Sequence, residues 1–232
     1  MRALDHNLWV AEQPLKYLGL EVGTRMTVVR LSSQALAVIS PIALNSELKQ
    51  QLARIGTVEH IISPNLYHYL YAADFKYAYP TATFWAAPGL QEKKPNLPID
   101  KVIQANSSPL WNDLEGLYFE DFKTLSPGGF DALNEWVFFH AASRTLILTD
   151  TAFHFDNSFP FVTKLLTRVT GDYQKLAPSD FERIATTDKQ SVKETVEKIL
   201  SWDFERVVMA HGSIVEEDAK RKLEKDYSSF FR

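Results

Sequence analysis

The chain has 232 residues, of which 45% are hydrophobic and 23% charged, with a net charge of -4 and no cysteine. This is the composition of an ordinary folded domain, and it excludes a disulfide framework, a thiolate metal site, a cysteine nucleophile and the clustered basic surface of a nucleic-acid binder. Met1 to Leu8 carries no apolar signal core, and no apolar run approaches the roughly 18 residues of a membrane span, so a cytoplasmic chain without membrane contact is expected.

The predicted elements alternate between strand and helix, the pattern of a layered α/β domain, and one domain over residues 1–232 is expected. Met26 to Leu31 and Leu36 to Ile39 are β-branched apolar runs split by Ser32-Ser33-Gln34, which predicts a hairpin. Asn45-Ser46-Glu47 reads as a helix start, followed by Leu48, Leu52 and Ile55 at helical spacing. Val58 to Ile62 is the next strand, Asn65 to Ala78 a helix stopped by Pro80, and Thr83 to Ala87 a strand ended by the Pro88-Gly89 turn. Gln91 to Asp113, rich in Pro, Asn and Ser, reads as loop. Leu117 to Phe122 follows as a strand and Pro127-Gly128-Gly129 as a turn. Trp136 to His140 and Thr145 to Leu148 predict a second hairpin. Helices over Phe159 to Thr167, Ser179 to Ala185 and Ser191 to Ser201, a strand over Arg206 to Ala210 and a charged helix over Val215 to Phe231 complete the chain.

Ligands of α/β proteins gather where strands end, because the sheet edge forms a crevice with rigid walls. Three strand-end loops here offer His68, Asp150 and His211. Two imidazoles and one carboxylate suit one divalent ion such as zinc, iron or manganese, and such an ion acidifies water into a nucleophile. Asp150 and His68 are the candidates for catalytic work. The plainer reading is also open: a lone Asp at a strand end caps a turn, and a lone His before glycine binds backbone. His154, four residues after Asp150, is a reserve ligand or acid/base. His140 reads as a partly exposed turn residue and Arg144 as solvated. Asn134-Glu135, just before the Trp136 strand, reads first as caps or turn residues, with lining of the pocket as the alternative. The 15 Phe, 9 Tyr and 5 Trp first imply core packing, with an aromatic-walled pocket around Tyr67 to Tyr71 and Phe153 to Phe155 as the sharper alternative. Neither a phosphate-binding glycine loop nor a Gly-x-Ser-x-Gly elbow is present.

At these residues the chain resembles the metallo-β-lactamase superfamily. Thr149-Asp150 is similar to its Gly-Asp segment, and Ala210-His211-Gly212 to its final Gly-His-Gly motif. The resemblance implies an αββα four-layer sandwich, with Asp150 as the bridging carboxylate and His211 as the last metal ligand. The first motif, Thr-His-x-His-x-Asp-His, departs: Pro64 and Leu66 fall on its first two histidines, His68 on its aspartate and Tyr69 on its last histidine. The third histidine position lands near Asp131. The resemblance therefore implies a degenerate ligand set holding one divalent metal at most, and leaves open that none is bound. A bacterial branch of that superfamily, a domain of unknown function, is similar in Gly23 to Leu31, Ser40-Pro41, Ser63-Pro64-Asn65, Ala87-Pro88-Gly89 and Asn134-Glu135.

The function expected is a mononuclear metal-dependent hydrolase of an ester-like or phosphoester small molecule. The alternatives are a non-catalytic ligand-binding or interaction protein on a retired scaffold and, at lower weight, a nonheme iron protein.

Overall fold

The computed structural model describes residues 1–17, 19–104, 112–126, 128–171 and 173–231. Strands β1 (Arg2–Asp5) and β2 (Leu8–Gln13) open the chain, followed by a small hairpin of β3 (Lys16–Tyr17) and β4 (Leu20–Glu21). β5 (Thr24–Arg30) and β6 (Ala35–Ile39) form the expected first hairpin, with Thr27 opposite Ile39 and Arg30 opposite Leu36. Both strands are buried almost throughout, which is why they read as unbroken apolar runs rather than alternating ones. α1 (Ser46–Ile55) starts where the Asn45 side chain accepts the Leu48 N–H, and it turns Leu48 and Leu52 inward.

β7 (Thr57–Ser63), α2 (Ala72–Ala78), β8 (Thr83–Ala86), α3 (Leu90–Lys93) and β9 (Lys101–Val102) complete a seven-stranded sheet in the order β1-β2-β5-β6-β7-β8-β9. Pairing is antiparallel from β1 to β6 and parallel from β6 to β9.

The second half contributes β10 (Glu115–Phe119), β11 (Lys123–Ser126), β12 (Gly129–Ala132), β13 (Glu135–His140) and β14 (Thr145–Ile147). It continues with α4 (Phe161–Val169), α5 (Asp180–Ala185), α6 (Lys189–Ser201), β15 (Arg206–Val208) and α7 (Ala219–Tyr227). Strands β10-β13-β14-β15 form a four-stranded sheet, with β14 and β15 parallel.

The buried clusters define four layers. Leu8, Val29 and Ile39 from the first sheet meet Trp136, Phe138 and Ile147 from the second. The other face of the first sheet, with Val38, Ile61 and Phe84, packs on Leu48, Leu52 and Phe75 from α1 and α2. The other face of the second, with Val137, Leu146 and Val207, packs on Val196 and Ile199 of α6 and Leu223 and Tyr227 of α7. The expected αββα sandwich is the fold found. Among the described residues, no helix is long and apolar enough to cross a membrane.

Several local expectations need correction. Strands β1 to β4 were not foreseen. The helix expected from Asn65 begins only at Ala72, because the Asn65 side-chain oxygen accepts the N–H groups of Tyr67 and His68 and folds residues 65–68 into a tight turn. The loop expected over 91–113 contains part of α3 and all of β9, while its residues 105–111 lie outside the described residues. At the expected Pro127-Gly128-Gly129 turn, Pro127 lies outside the described residues, and the flanking segments pair as β11 and β12. The last helix starts at Ala219 because Val215 instead exchanges both backbone hydrogen bonds with Val207.

Phe138 is fully buried between the two sheets. Phe138→Ala is expected to lower unfolding free energy by about 3–5 kcal/mol. In urea titration this appears as a lower midpoint at unchanged slope.

Candidate functional site

Three strand ends converge. The loop after β7 carries His68, the segment after β14 carries Asp150, and the segment after β15 carries His211. His68 Nε2 lies 3.2 Å from Asp150 Oδ2 and 3.2 Å from His211 Nε2, and His211 Nε2 lies 3.4 Å from Asp150 Oδ1. All three residues are nearly enclosed, with 11–13% of each side chain exposed.

The outer ring nitrogens are held in place. His211 Nδ1 is 2.6 Å from the Gly23 carbonyl, which can only accept, so Nδ1 carries a proton and the neutral ring presents its Nε2 lone pair inward. His68 Nδ1 is 2.6 Å from the Ser40 hydroxyl. Ser40 follows β6 with a φ of 55°, a left-handed conformation unusual for serine, while its N–H donates to Ile62.

Asn65 and Glu135 place the carboxylate. Asn65 is fully buried; its Nδ2 donates to Asp150 Oδ2 at 2.8 Å and to Glu135 Oε2 at 3.0 Å. Its Oδ1 receives the Tyr67 and His68 N–H groups, so one side chain sets both His68 and Asp150. Glu135 receives the N–H groups of Thr149 (2.8 Å), Asp150 (2.7 Å) and Thr151 (3.4 Å), the Thr151 hydroxyl (2.8 Å) and Asn65. The segment after β14 is thus wrapped around a buried carboxylate.

His211 is braced from the other sheet. Arg25 on β5 donates to the carbonyls of Met209 and Gly212, on either side of His211, and to Glu12. Gly212 has a φ of +92°, and a methyl group there would lie 2.5 Å from the His154 carbonyl oxygen, so only glycine allows the close approach.

Charge within the cluster is uneven. Burial alone would raise the Asp150 pKa, but His68, His211 and Asn65 outweigh it and hold the carboxyl at about 2. Burial, then the Asp150 charge, push Glu135 up to about 7 against the pull of its N–H donors. Burial opposes a charge on His68, yet the Asp150 charge and hydrogen bond prevail and raise its pKa. Burial lowers His211, and Asp150 offsets this only in part. One imidazole is drawn to hold a proton and the other to release it, which reconciles two ring nitrogens in hydrogen-bond contact.

The same donor set fits a metal ion. Ligands ~2.0–2.2 Å from one ion at tetrahedral angles stand ~3.3–3.6 Å apart. The two Nε2 atoms stand 3.2 Å apart, and Asp150 meets them with different oxygens, Oδ2 at 3.2 Å from His68 and Oδ1 at 3.4 Å from His211; one atom from each residue gives a set within 4.8 Å. Both imidazoles also have an outer hydrogen-bond partner, as metal-bound histidines do. Among the described residues, His68, Asp150 and His211 form the group of His, Asp and Glu side chains that could hold an ion. A cavity of about 300 Å³ is lined by Val22, Gly23, Arg25, Phe159, Ala210 and Gly212, among others; Ala210 and Gly212 flank His211 in the chain, but His68, Asp150 and His211 do not line it.

The remaining candidates lie elsewhere or act differently. His154 meets the site through its backbone, which pairs with Gly212 and Ser213, and its ring is not in the cluster. His140 is buried rather than partly exposed: it lies at the far end of β13 and contacts the Ser143 hydroxyl. Arg144 is exposed, as expected, and pairs with Asp203 and Glu205. Asn134 donates to the Pro88 carbonyl, but Glu135, expected in a cap or turn, is the buried centre of the site. Asp131 accepts from Tyr67 and Ser126, outside the cluster. Leu66 packs with Ala86 and Leu90, and Pro64 accepts the Trp136 N–H, so neither replaces a lost histidine. Glu135, Asn65, Ser40 and Arg25 have no metal-ligand spacing, but all four lie in the segments similar to the bacterial branch, Asn134-Glu135, Ser63-Pro64-Asn65, Ser40-Pro41 and Gly23 to Leu31.

Residues 5–177 match a family described as "Domain of unknown function (DUF4336)". No curated protein matches. Among solved structures, the DIM-1 metallo-β-lactamase exposed to ceftazidime has a TM-score of 0.65 at 10% identity, covering 98% of this chain and 95% of that one. The metallo-β-lactamase FIM-1 from Pseudomonas aeruginosa, in its mono-zinc form, has a TM-score of 0.62 at 8% identity, covering 99% and 95%. The Flv1 flavodiiron core from Synechocystis sp. PCC6803, metal-soaked, has a TM-score of 0.61 at 12% identity, covering 97% of this chain and 59% of that one. At these identities the likeness is one of fold.

Replacing the Glu135 carboxylate strands buried N–H donors that only an acceptor can satisfy. Glu135→Gln is expected to destabilise the protein by about 1–3 kcal/mol and Glu135→Ala by about 3–5 kcal/mol, measured by chemical denaturation.

Proposed function

The chain belongs to the DUF4336 family and has the metallo-β-lactamase fold, and from that premise we propose that it is a mononuclear metal-dependent hydrolase of an ester-like or phosphoester substrate, working as a single domain. The carrying observation is the convergence of two imidazole nitrogens and a carboxylate at 3.2–3.4 Å from three separate strand-end loops.

In this reading His68, Asp150 and His211 hold one divalent ion. Such an ion supplies Lewis-acid polarisation of the substrate and makes water acidic near neutral pH. The chain's own groups do the rest. Gly23 fixes the tautomer that leaves His211 Nε2 free, and Ser40 steadies His68. Asn65 and Glu135 keep Asp150 aimed inward, and its low pKa keeps it ionised. An ionised Asp150 would offset the charge of the ion and accept a hydrogen bond that orients an incoming water. A cavity lined by Ala210 and Gly212, the chain neighbours of His211, has room for a small substrate, with Val22 and Phe159 as apolar wall.

A second reading has one observation in its favour. Pro64 and Leu66 stand where the superfamily motif has histidines, and both are used in packing or backbone pairing. On that ground the cluster would be a self-satisfied hydrogen-bond group in a ligand-binding protein on a retired scaffold.

Untagged protein is expected to take up about one zinc, manganese or iron(II) ion per chain, measured by elemental analysis and calorimetry. His68→Ala, Asp150→Ala or His211→Ala should weaken uptake by about 100-fold or more, and Ser40→Ala by about 10–100-fold. A panel of nitrophenyl esters and phosphodiesters should then be turned over by the loaded protein and not by the His211→Ala variant. Folded protein that takes up none of these ions would favour the second reading.

A further inference from the structure

A surface helix normally turns its apolar face inward, and α4 does the reverse. Its inward positions are Thr163 and Thr167, both buried. Thr163 Oγ1 donates to the Glu21 carbonyl of β4, and Thr167 Oγ1 donates to the Thr163 carbonyl. The first bond ties the helix to β4, and the second lies within the helix. Its outward residues are Phe161 (70% exposed), Val162, Leu165, Leu166 and Val169 (79% exposed). Just beyond its C-terminal end, Gly171 lies against the Asp180 carboxylate at the start of α5. There the pattern repeats: Glu182 is buried in a capping box with Ser179 and accepts from Thr124, while Phe181 and Ile184 (67% exposed) face outward. Five large apolar side chains of α4 thus face water, a concentration that marks an interaction surface, and α5 exposes Phe181 and Ile184 as well.

Charge selects the occupant. α4 contains Lys164 and Arg168 and no acidic residue, in a chain of net charge -4. Among the described residues neither is in an ion pair; Lys164 donates to the Asn157 carbonyl and Arg168 stacks on Tyr173 at 3.9 Å. On α5, Arg183 pairs with the exposed Asp180. A symmetric contact with a second copy would set this patch on itself and bring its unpaired cations together. A surface with apolar depth and anionic headgroups suits both features.

We propose that α4 docks this protein on an anionic lipid surface, with Phe161, Leu165 and Val169 entering the acyl boundary and Lys164 and Arg168 among the headgroups. This departs from the sequence expectation of no membrane contact, which tested only for a spanning run. It stands independently of what His68, Asp150 and His211 do. Phe159, two residues before α4, also lines the cavity that Ala210 and Gly212 border, so docking would set that cavity close to the lipid.

The test is co-sedimentation of the full chain with vesicles of phosphatidylcholine alone and of phosphatidylcholine mixed with phosphatidylglycerol. Binding to the mixed vesicles and not to the neutral ones, weakened by added salt, is expected. Lys164→Glu with Arg168→Glu, and separately Leu165→Asp with Val169→Asp, should each reduce partitioning by about tenfold or more. Tyr77→Ser, which removes another exposed aromatic (73% exposed) on α2, should leave it unchanged. Circular dichroism and thermal melting confirm that each variant is folded, as expected for exposed positions. The proposal is overturned if the mixed vesicles do not bind the protein, if neutral vesicles bind it equally, or if the variants bind as the parent does. A concentration-dependent dimer in ultracentrifugation that Leu165→Asp with Val169→Asp dissociates would assign the patch to a second copy and overturn it too.

Discussion

A carboxylate without access to water needs partners for its lone pairs, and Glu135 has five donors turned toward it. Those donors come from two loops that are distant in sequence. Three are backbone N–H groups following β14, a fourth is the Thr151 hydroxyl, and the fifth is Asn65 after β7. Because Asn65 in turn gathers the His68 N–H and the Asp150 oxygen, the positions of two site residues follow from this one buried anion. Below the same segment, the Tyr227 hydroxyl of α7 donates to the Thr151 carbonyl, tying the network to the outer helical layer.

His211 is governed differently. It leaves the second sheet after β15, but its brace belongs to the first: Gly23 accepts from its ring, and Arg25 holds carbonyls on both sides of it. The site therefore spans the two sheets. The apolar layer between them, with Val29 and Ile39 facing Trp136 and Phe138, is what allows Nε2 atoms from different sheets to stand 3.2 Å apart. Packing and chemistry are coupled here in a definite way.

The fold is that of the metallo-β-lactamases. Pro64 and Leu66 serve structure, one as a backbone acceptor for β13 and the other as apolar packing. The His68 N–H is held by the Asn65 side chain. Fold likeness says nothing of reaction, since the same layers support many chemistries. The reading of this site rests on its own atoms.

By itself the sequence determined the layered α/β class, the two hairpins, the capped start of α1 and the three strand-end positions of His68, Asp150 and His211. These are local signals: apolar runs, caps and punctuation act within a few residues, and strand ends are where an α/β sheet exposes side chains. Only the tertiary structure decided that Glu135 is the buried hub and that His140 is buried away from the site. Both depend on the antiparallel register of β13 and β14, which sets Phe138 opposite Ile147 and so brings the start of β13 beside Asp150 and its end beside Thr145. The outward face of α4 was hidden for a related reason. Its spacing shows that Phe161, Leu165 and Val169 share a side, but which side meets the protein is fixed by the Glu21 carbonyl that Thr163 reaches, a contact across 142 positions of chain.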